Sequence, residues 1–388
     1  MIANSSVQSY GSKSATSHPK KRNELCGVIR IHERYDTAVS FSKRCRVTSM
    51  LRVGSLLSVF VIFVTVSASG LQSGLEKRYQ EELTQGESVL WFDPGDVAAL
   101  DLAYGIGGSE GQPQPPFRFV NEDLSGTSPK VNVTDNSDKK WNIKWGHEAH
   151  PSTFCSRLVW ACGYVAETEY FIAQGLINGV QGLARAKSFV SKDGSFVNAR
   201  FQLRSDSRKY LQGQHWTWTK NPFVGTRQLQ GLKILLLLVS NWDTKEENLS
   251  IFEDDSTGDR HYLYADDDWG ASLGKWGGIL TWTKWDCSGF AKQTPDFVKG
   301  VVNGSLQWGF NGKNQREVTS DITVQDVQWL LLYLGRVTDA QIRIGLLASG
   351  AAPEDVDCFV RALRQRIEQL QRVTVENVQQ ANPRAPVE

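Results

Sequence analysis

The chain has 388 residues, 40% apolar and 22% charged, proportions of folded protein in one large or two ordinary domains, which excludes wholesale disorder. Its 43 basic and 42 acidic side chains leave a formal charge of +1, which argues against a nucleic-acid polymer as partner. That total conceals a division: residues 1–70 carry 10 basic and 3 acidic groups, net +7, and residues 71–388 carry 33 and 39, net −6.

Residues 1–49 are Ser-, Lys- and Arg-rich without a sustained period and read as a disordered or untranslated leader. From Met50 a mostly apolar run, Val53 to Val66, follows Arg52 and precedes the small residues Ser67-Ala68. Residues 50–70 therefore read as a signal peptide or signal anchor, which implies a membrane contact if uncleaved and a secreted, periplasmic or lumenal body. A false signal would leave the protein cytoplasmic. Four cysteines lie in the body, Cys155, Cys162, Cys287 and Cys358, enough for two disulfides. Cys155 and Cys162 share a helical stretch about 10 Å apart, too far to bond each other.

A lead-in segment (71–116) ends in the Gly/Pro-rich GIGGSEGQPQPP, whose Gly105–Gly111 part reads as a flexible loop. Alternation predicts strands at Phe117–Val120, Lys130–Thr134 and Lys140–Trp145, with a turn at Asp135–Asp138. A helix over Thr153–Cys162 stops at Gly163; strands at Tyr164–Ala173, Lys187–Val190 and Ser195–Leu203 follow, with a turn at Lys192-Asp193-Gly194. Gly225–Val239 reads as an apolar helix, Leu263–Asp266 as a short strand, Val324–Leu334 and Pro353–Val373 as helices, and 381–388 as a loose tail. Strands with one helix, then mostly helices, define an α+β class in two lobes, 117–220 and 221–380.

The chemistry-bearing text follows the apolar helix. Asp243-x-Lys245-x-x-Asn248 fits the catalytic-loop pattern in which Asp accepts a hydroxyl proton, Lys lies against the phosphoryl and Asn holds a metal. Twenty residues on, Asp268-Trp269-Gly270 matches the D-x-G that carries the second metal ligand. Upstream, Leu124-Ser125-Gly126-Thr127-Ser128-Pro129-Lys130 is similar to an S-G-x-x-P-K phosphate loop, and Trp141-Asn142-Ile143-Lys144 to the strand that offers a Lys to phosphates. In this order the parts resemble the protein-kinase-like superfamily in its atypical branches, the HipA-type and secretory-pathway kinases. The resemblance implies a two-lobed kinase-like fold with a small strand-rich N-lobe and a larger helical C-lobe. It also implies ATP held by Ser125, Gly126, Thr127, Ser128 and Lys144, Mg²⁺ held by Asn248 and Asp268, and transfer to an unknown hydroxyl acceptor with Asp243 and Lys245 as the catalytic pair.

Several positions depart from the family. Asn241-Trp242 stand where His-Arg would precede the catalytic Asp, no A-P-E follows Asp268, and the helix Glu that pairs with the strand Lys aligns with Ser152. Glu148, one turn earlier, is the candidate to replace it. These departures keep open a non-catalytic kinase-like binding protein. The run Trp276–Trp285 (WGGILTWTKW) reads either as packing or as an exposed glycan platform, and a secreted carbohydrate-active enzyme is a further alternative. An α/β-hydrolase is excluded, because Gly270-x-Ser272-x-Gly274 has no His after it; the last is His261.

Overall fold

A computed structural model describes residues 86–381 apart from 279, 311, 314 and 315. The leader, the signal-type segment 50–70 and the tail beyond Ala381 lie outside the described residues. No helix among the described residues is long and apolar enough to cross a membrane.

After a short strand β1 (Glu87–Val89), five strands close into a barrel. They are β2 (Phe117–Asp123), β3 (Lys130–Thr134), β4 (Lys140–Trp145), β5 (Glu169–Asn178) and β6 (Ser195–Arg204), in the order β2-β3-β4-β6-β5. Their alternation explains the closure. In β4, Trp141, Ile143 and Trp145 are buried in the barrel core with Phe117, Val131 and Phe201, so Lys140, Asn142 and Lys144 project from the opposite face. The Asp135–Asp138 turn is built around the buried Asp135, whose Oδ1 accepts from the Ser137 and Lys139 N–H groups and whose Oδ2 accepts from Trp141 Nε1 at 2.9 Å. Helix α1 (Ala149–Ala161) leaves β4 through Gly146, which takes φ +98°.

A second sheet, ordered β1-β9-β8-β7, uses β7 (Arg208–His215), β8 (Leu249–Asp254) and β9 (His261–Asp266), with β1 parallel to β9. Helix α2 (Arg227–Leu238) separates β7 from β8. Its first turn is capped by Thr226 Oγ1, which accepts from Leu229 N, and every residue from Leu229 to Leu238 is buried. Helix α3 (Cys287–Gln293), the hairpin of β10 (Val298–Val302) and β11 (Ser305–Trp308), and helices α4 (Arg316–Thr319), α5 (Val324–Leu334), α6 (Asp339–Leu347) and α7 (Pro353–Ala381) complete the chain. These helices, α1 and α2 share the larger core. The α+β class with strands first and helices last is as the sequence indicates.

Arg366 of α7 is fully enclosed and donates to Leu238 O (2.7 Å), Ser240 Oγ (2.8 Å), Phe290 O (3.0 Å) and Thr294 Oγ1, with its guanidinium 3.8 Å from the centre of the Phe290 ring. It thereby satisfies carbonyls at the C-terminus of α2 that no helix bond reaches. A disulfide joins Cys287 to Cys358, tying α3 to α7, while Cys155 and Cys162 are buried free thiols.

Some expectations are corrected. Lys187–Val190 is no strand: Ala186–Ser188 form a 3-10 turn, and only Val190 makes an isolated bridge, to Phe196. The strand expected at Tyr164–Ala173 begins at Glu169, because Tyr164 and Val165 are spent on contacts with the lead-in segment. Gly105–Gly111 is not a loose loop but two 3-10 turns held by Tyr170, whose hydroxyl donates to Gly108 O at 2.8 Å; a Cβ at Gly107 would sit 2.0 Å from that hydroxyl. One disulfide forms in the body rather than two.

Candidate active site

The turn at Gly146 brings Lys144, at the end of β4, against Glu148, at the start of α1: Lys144 Nζ lies 2.5 Å from Glu148 Oε2. Ser128 Oγ donates to the same oxygen at 2.9 Å, and Lys284 Nζ binds Oε1. Burial alone would raise the Glu148 pKa, but the two ammonium groups outweigh it and hold the carboxyl well below its ordinary range. Glu148 thus pairs with Lys144 from the N-terminus of α1. Ser152, where the helix carboxylate was expected, instead donates to Glu169 Oε2 at 2.9 Å, and Arg200 Nη1 binds Glu169 Oε1 at 2.9 Å.

The Ser125–Ser128 loop is pinned at its base. Ser125 N and Oγ donate to Asp123 Oδ1 at 2.9 and 2.6 Å, Lys130 Nζ donates to Ser125 Oγ at 3.0 Å, and Gly126 takes φ +61°. Arg185 clamps the loop from outside, donating to Leu124 O and Gly126 O. Thr127 is exposed, and Ser128 is engaged with Glu148.

On the opposite side α2 ends at Ser240 (φ +52°), and the buried Asn241 spans the two loops that follow. Asn241 Nδ2 donates to Asp268 O at 3.0 Å, and its Oδ1 accepts from Asp243 N at 3.1 Å. Asp243 Oδ2 accepts from Lys245 Nζ at 2.9 Å, while Oδ1 is buried with no partner among the described residues. Burial would lower the Lys245 pKa, but the bond to Asp243 and its charge raise it. Asn248 Nδ2 donates to Asp243 O at 2.7 Å, and Asn248 O accepts from Asp267 N at 3.0 Å. Asp268 Oδ1 accepts from Gly270 N at 3.1 Å. Burial, reinforced by the neighbouring carboxylates, pushes Asp266 well up; burial and the charge of Asp268, opposed by a bond from Ser250, lift Asp267 to about 7.

These groups meet across a cleft of about 530 Å³. Lys130, Lys144 and Arg200 line the barrel side, Asn248, Asp267 and Asp268 the other, with Ser125 and Gly126 also on its wall. Asp243 and Lys245 do not line it: Asp243 sits behind the wall, tied to Asn248 through its carbonyl, and Lys245 is held by Asp243. Among the described residues no group of three or more His, Cys, Asp and Glu forms a ready metal cage. Mg²⁺ carried with a nucleotide needs none, since it keeps several waters and takes one or two protein oxygens beside the phosphates. Asn248 and Asp268 fit that donor set, and Asp267 stands beside them on the same wall.

Sequence reasoning missed Arg200, Gln202 and Lys284. Arg200, Gln202 and Arg204 stand at period two in β6, a polar face that was legible; Lys284 had no such signal. In the Trp-rich run Trp276 stacks on Trp242 at 4.7 Å between ring centres, Trp282 lies 5.4 Å from Trp242, and Lys284 Nζ sits over both Trp242 and Trp282, while Leu280 is almost fully exposed. Trp282 keeps 45% of its surface exposed.

No protein-family model matches the chain, and no curated protein matches it. Among solved structures it is similar to the proinflammatory kinase CtkA of Helicobacter pylori, with TM-score 0.43 and 9% identity over 69% of this chain and 99% of that one. It is also similar to the Golgi casein kinase with Mn/ADP bound (TM-score 0.31, 12% identity, 70% and 74%). A third is HipA of Shewanella oneidensis MR-1, solved with HipB and operator DNA (TM-score 0.31, 12% identity, 71% and 68%). All three are atypical protein-kinase-like structures.

Proposed function

We propose that the protein is an ATP-dependent, Mg²⁺-requiring phosphotransferase acting on a hydroxyl. The observation that carries this reading is the Lys144–Glu148 pair facing Asn248 and Asp268 across one cleft. Lys144, oriented by Glu148, would bind the α- and β-phosphates, with the Ser125–Ser128 loop over the chain of phosphates. Asn248 and Asp268 would hold Mg²⁺, which neutralises charge on the β- and γ-phosphates. The acceptor oxygen attacks the γ-phosphorus, the bond to the β,γ-bridging oxygen breaks, ADP leaves, and the hydroxyl proton passes to Asp243. The unpartnered Oδ1 of Asp243 supports that role, and Lys245 offsets its charge.

The half-exposed Trp282, 5.4 Å between ring centres from Trp242, the residue before Asp243 in the chain, favours an acceptor with a sugar ring that stacks on the indole. The Cys287–Cys358 disulfide supports an oxidising, extracytoplasmic setting. A second reading, a nucleotide-binding protein without transfer, draws on the Lys245 ammonium that already engages one oxygen of Asp243. ADP release and phosphate transfer with Mg·ATP and a panel of proteins and glycans separate the two. Asp243→Asn and Asp268→Ala are expected to lose about 10²-fold or more in turnover; wild-type rates in both variants would sink the phosphotransferase reading.

A further inference from the structure

The barrel wall of the cleft carries two rows of side chains in register. Lys130, Lys144 and Arg200 are Cα partners across β3, β4 and β6, and two residues along the same strands Asn132, Asn142 and Gln202 are partners in turn. Residues two apart share a face, so a row of amides runs about 7 Å from a row of cations. Lys130, Lys144, Arg200, Asn142 and Gln202 all line the cleft.

The amide row has a fixed direction. Asn142 Nδ2 donates to Asn132 Oδ1 at 2.9 Å and to Asp123 Oδ2 at 3.4 Å; Asn132 Nδ2 donates onward to Asn121 Oδ1 at 3.1 Å. Turning the Asn142 amide over would set its carbonyl against two acceptors, so the observed orientation is the one the network allows. Gln202 is locked beside it, its Oε1 accepting from Arg200 Nη2 at 3.0 Å. The relay ends in an unmet group: Asn142 is 1% exposed, and its Oδ1 is buried with no partner among the described residues. Buried acceptors are ordinarily satisfied, and one left open on the wall of a cleft is suited to a ligand donor. Tyr210 and Phe252, 5.9 Å apart between ring centres, line the same cleft and offer a flat body something to lie against.

We propose that Asn142 reads the nucleoside end of the ligand, its Oδ1 accepting from an N–H or O–H of the purine amine or the ribose. This rests on the reading that the cation row takes the phosphates: a nucleotide so anchored extends along the strands onto the amide row. Asn142 is then a specificity-determining residue.

Binding calorimetry on the full chain with Mg²⁺ and three ligands tests it: ATP, purine riboside triphosphate (no exocyclic amine) and 2′,3′-dideoxy-ATP (no ribose hydroxyls). Wild type is expected to bind one analogue at least tenfold more weakly than ATP, which identifies the donor as base or sugar. In Asn142→Leu, and in the smaller Asn142→Ala should Leu fail to fold, that ratio is expected to fall to within twofold. The inference is overturned if wild type binds all three ligands within twofold, or if a folded Asn142 variant keeps the discrimination. Failure of wild type to bind any Mg-nucleotide would remove the phosphotransferase reading along with it, whereas equal binding of all three removes this inference alone.

Discussion

Glu148 concentrates the residue-scale chemistry, because one carboxylate receives Lys144, Lys284 and Ser128. Replacing it by Gln removes the charge while keeping a hydrogen-bonding amide, leaving two nearby ammonium groups without a counter-ion. Glu148→Gln is expected to weaken Mg·ATP binding about tenfold, read by calorimetry, because Lys144 loses its orienting partner. The pH dependence has a definite sign. The folded pKa of Glu148 lies below the ordinary 4.5, so its pairing contributes stability that is fully present above that value and is lost as pH falls toward the folded pKa. The gap in urea midpoint between wild type and Glu148→Gln should therefore hold from pH 8 to about 5 and narrow at pH 3; a gap that widens in acid would refute the pairing. The sequence pointed to Lys144 and offered Glu148 as the substitute, since the two are four apart across a glycine turn. It pointed nowhere near Lys284, which arrives from 136 residues away and whose meeting with Glu148 depends on how the Trp-rich run folds back.

Among elements, strands with one buried face and the long apolar helix α2 were readable, whereas β7 and β8 were not. Strands β3 and β4 alternate cleanly, and their bounds match the sequence expectation to the residue. Strand β8 lies inside its sheet with Leu249, Ser250, Ile251 and Phe252 all buried, so period two vanishes from its text; the polar β7, at the sheet edge, shows no apolar face either. Barrel closure through the parallel β2–β5 pair joins Phe117 to Ile177, a long-range contact that local periodicity does not encode. The loop that carries Asp243 follows α2, whose end is held by Arg366 of α7. Arg366→Leu removes a charged donor from several buried acceptors and is expected to cost about 2–4 kcal/mol in urea unfolding, at 1–3 kcal/mol per buried group left unsatisfied. Turnover of the folded fraction should fall as well, whereas a merely peripheral Arg would alter neither.

At the scale of the molecule, the barrel interior and the helical body are the two larger cores, with a small third cluster of Val165, Phe252, Leu263 and Ala265, and the cleft lies where polar faces of the barrel meet the loops of the body. The disulfide stays within the helical body, closing 71 residues between Cys287 and Cys358. In a chain-entropy picture such a link is worth about 4 kcal/mol, so reduction should lower the melting temperature by several degrees while leaving the barrel half of the cleft intact. A non-reducing peptide map should recover Cys287–Cys358 linked, with Cys155 and Cys162 alkylated only after denaturation; a disulfide involving either would contradict the fold. Composition separated the acidic body from the basic leader, yet no charge count could reveal that Asp267 and Asp268 face Lys130, Lys144 and Arg200 across a cleft. The grip of Arg366 on Leu238 O and Ser240 Oγ also imposes an order in time. Synthesis delivers the barrel strands first and the loop holding Asp243 next, but the residue that fastens that loop comes more than a hundred positions later. On the phosphotransferase reading, a nascent chain would hold the barrel wall of the cleft long before the opposite loop is fastened, and transfer would await the arrival of α7.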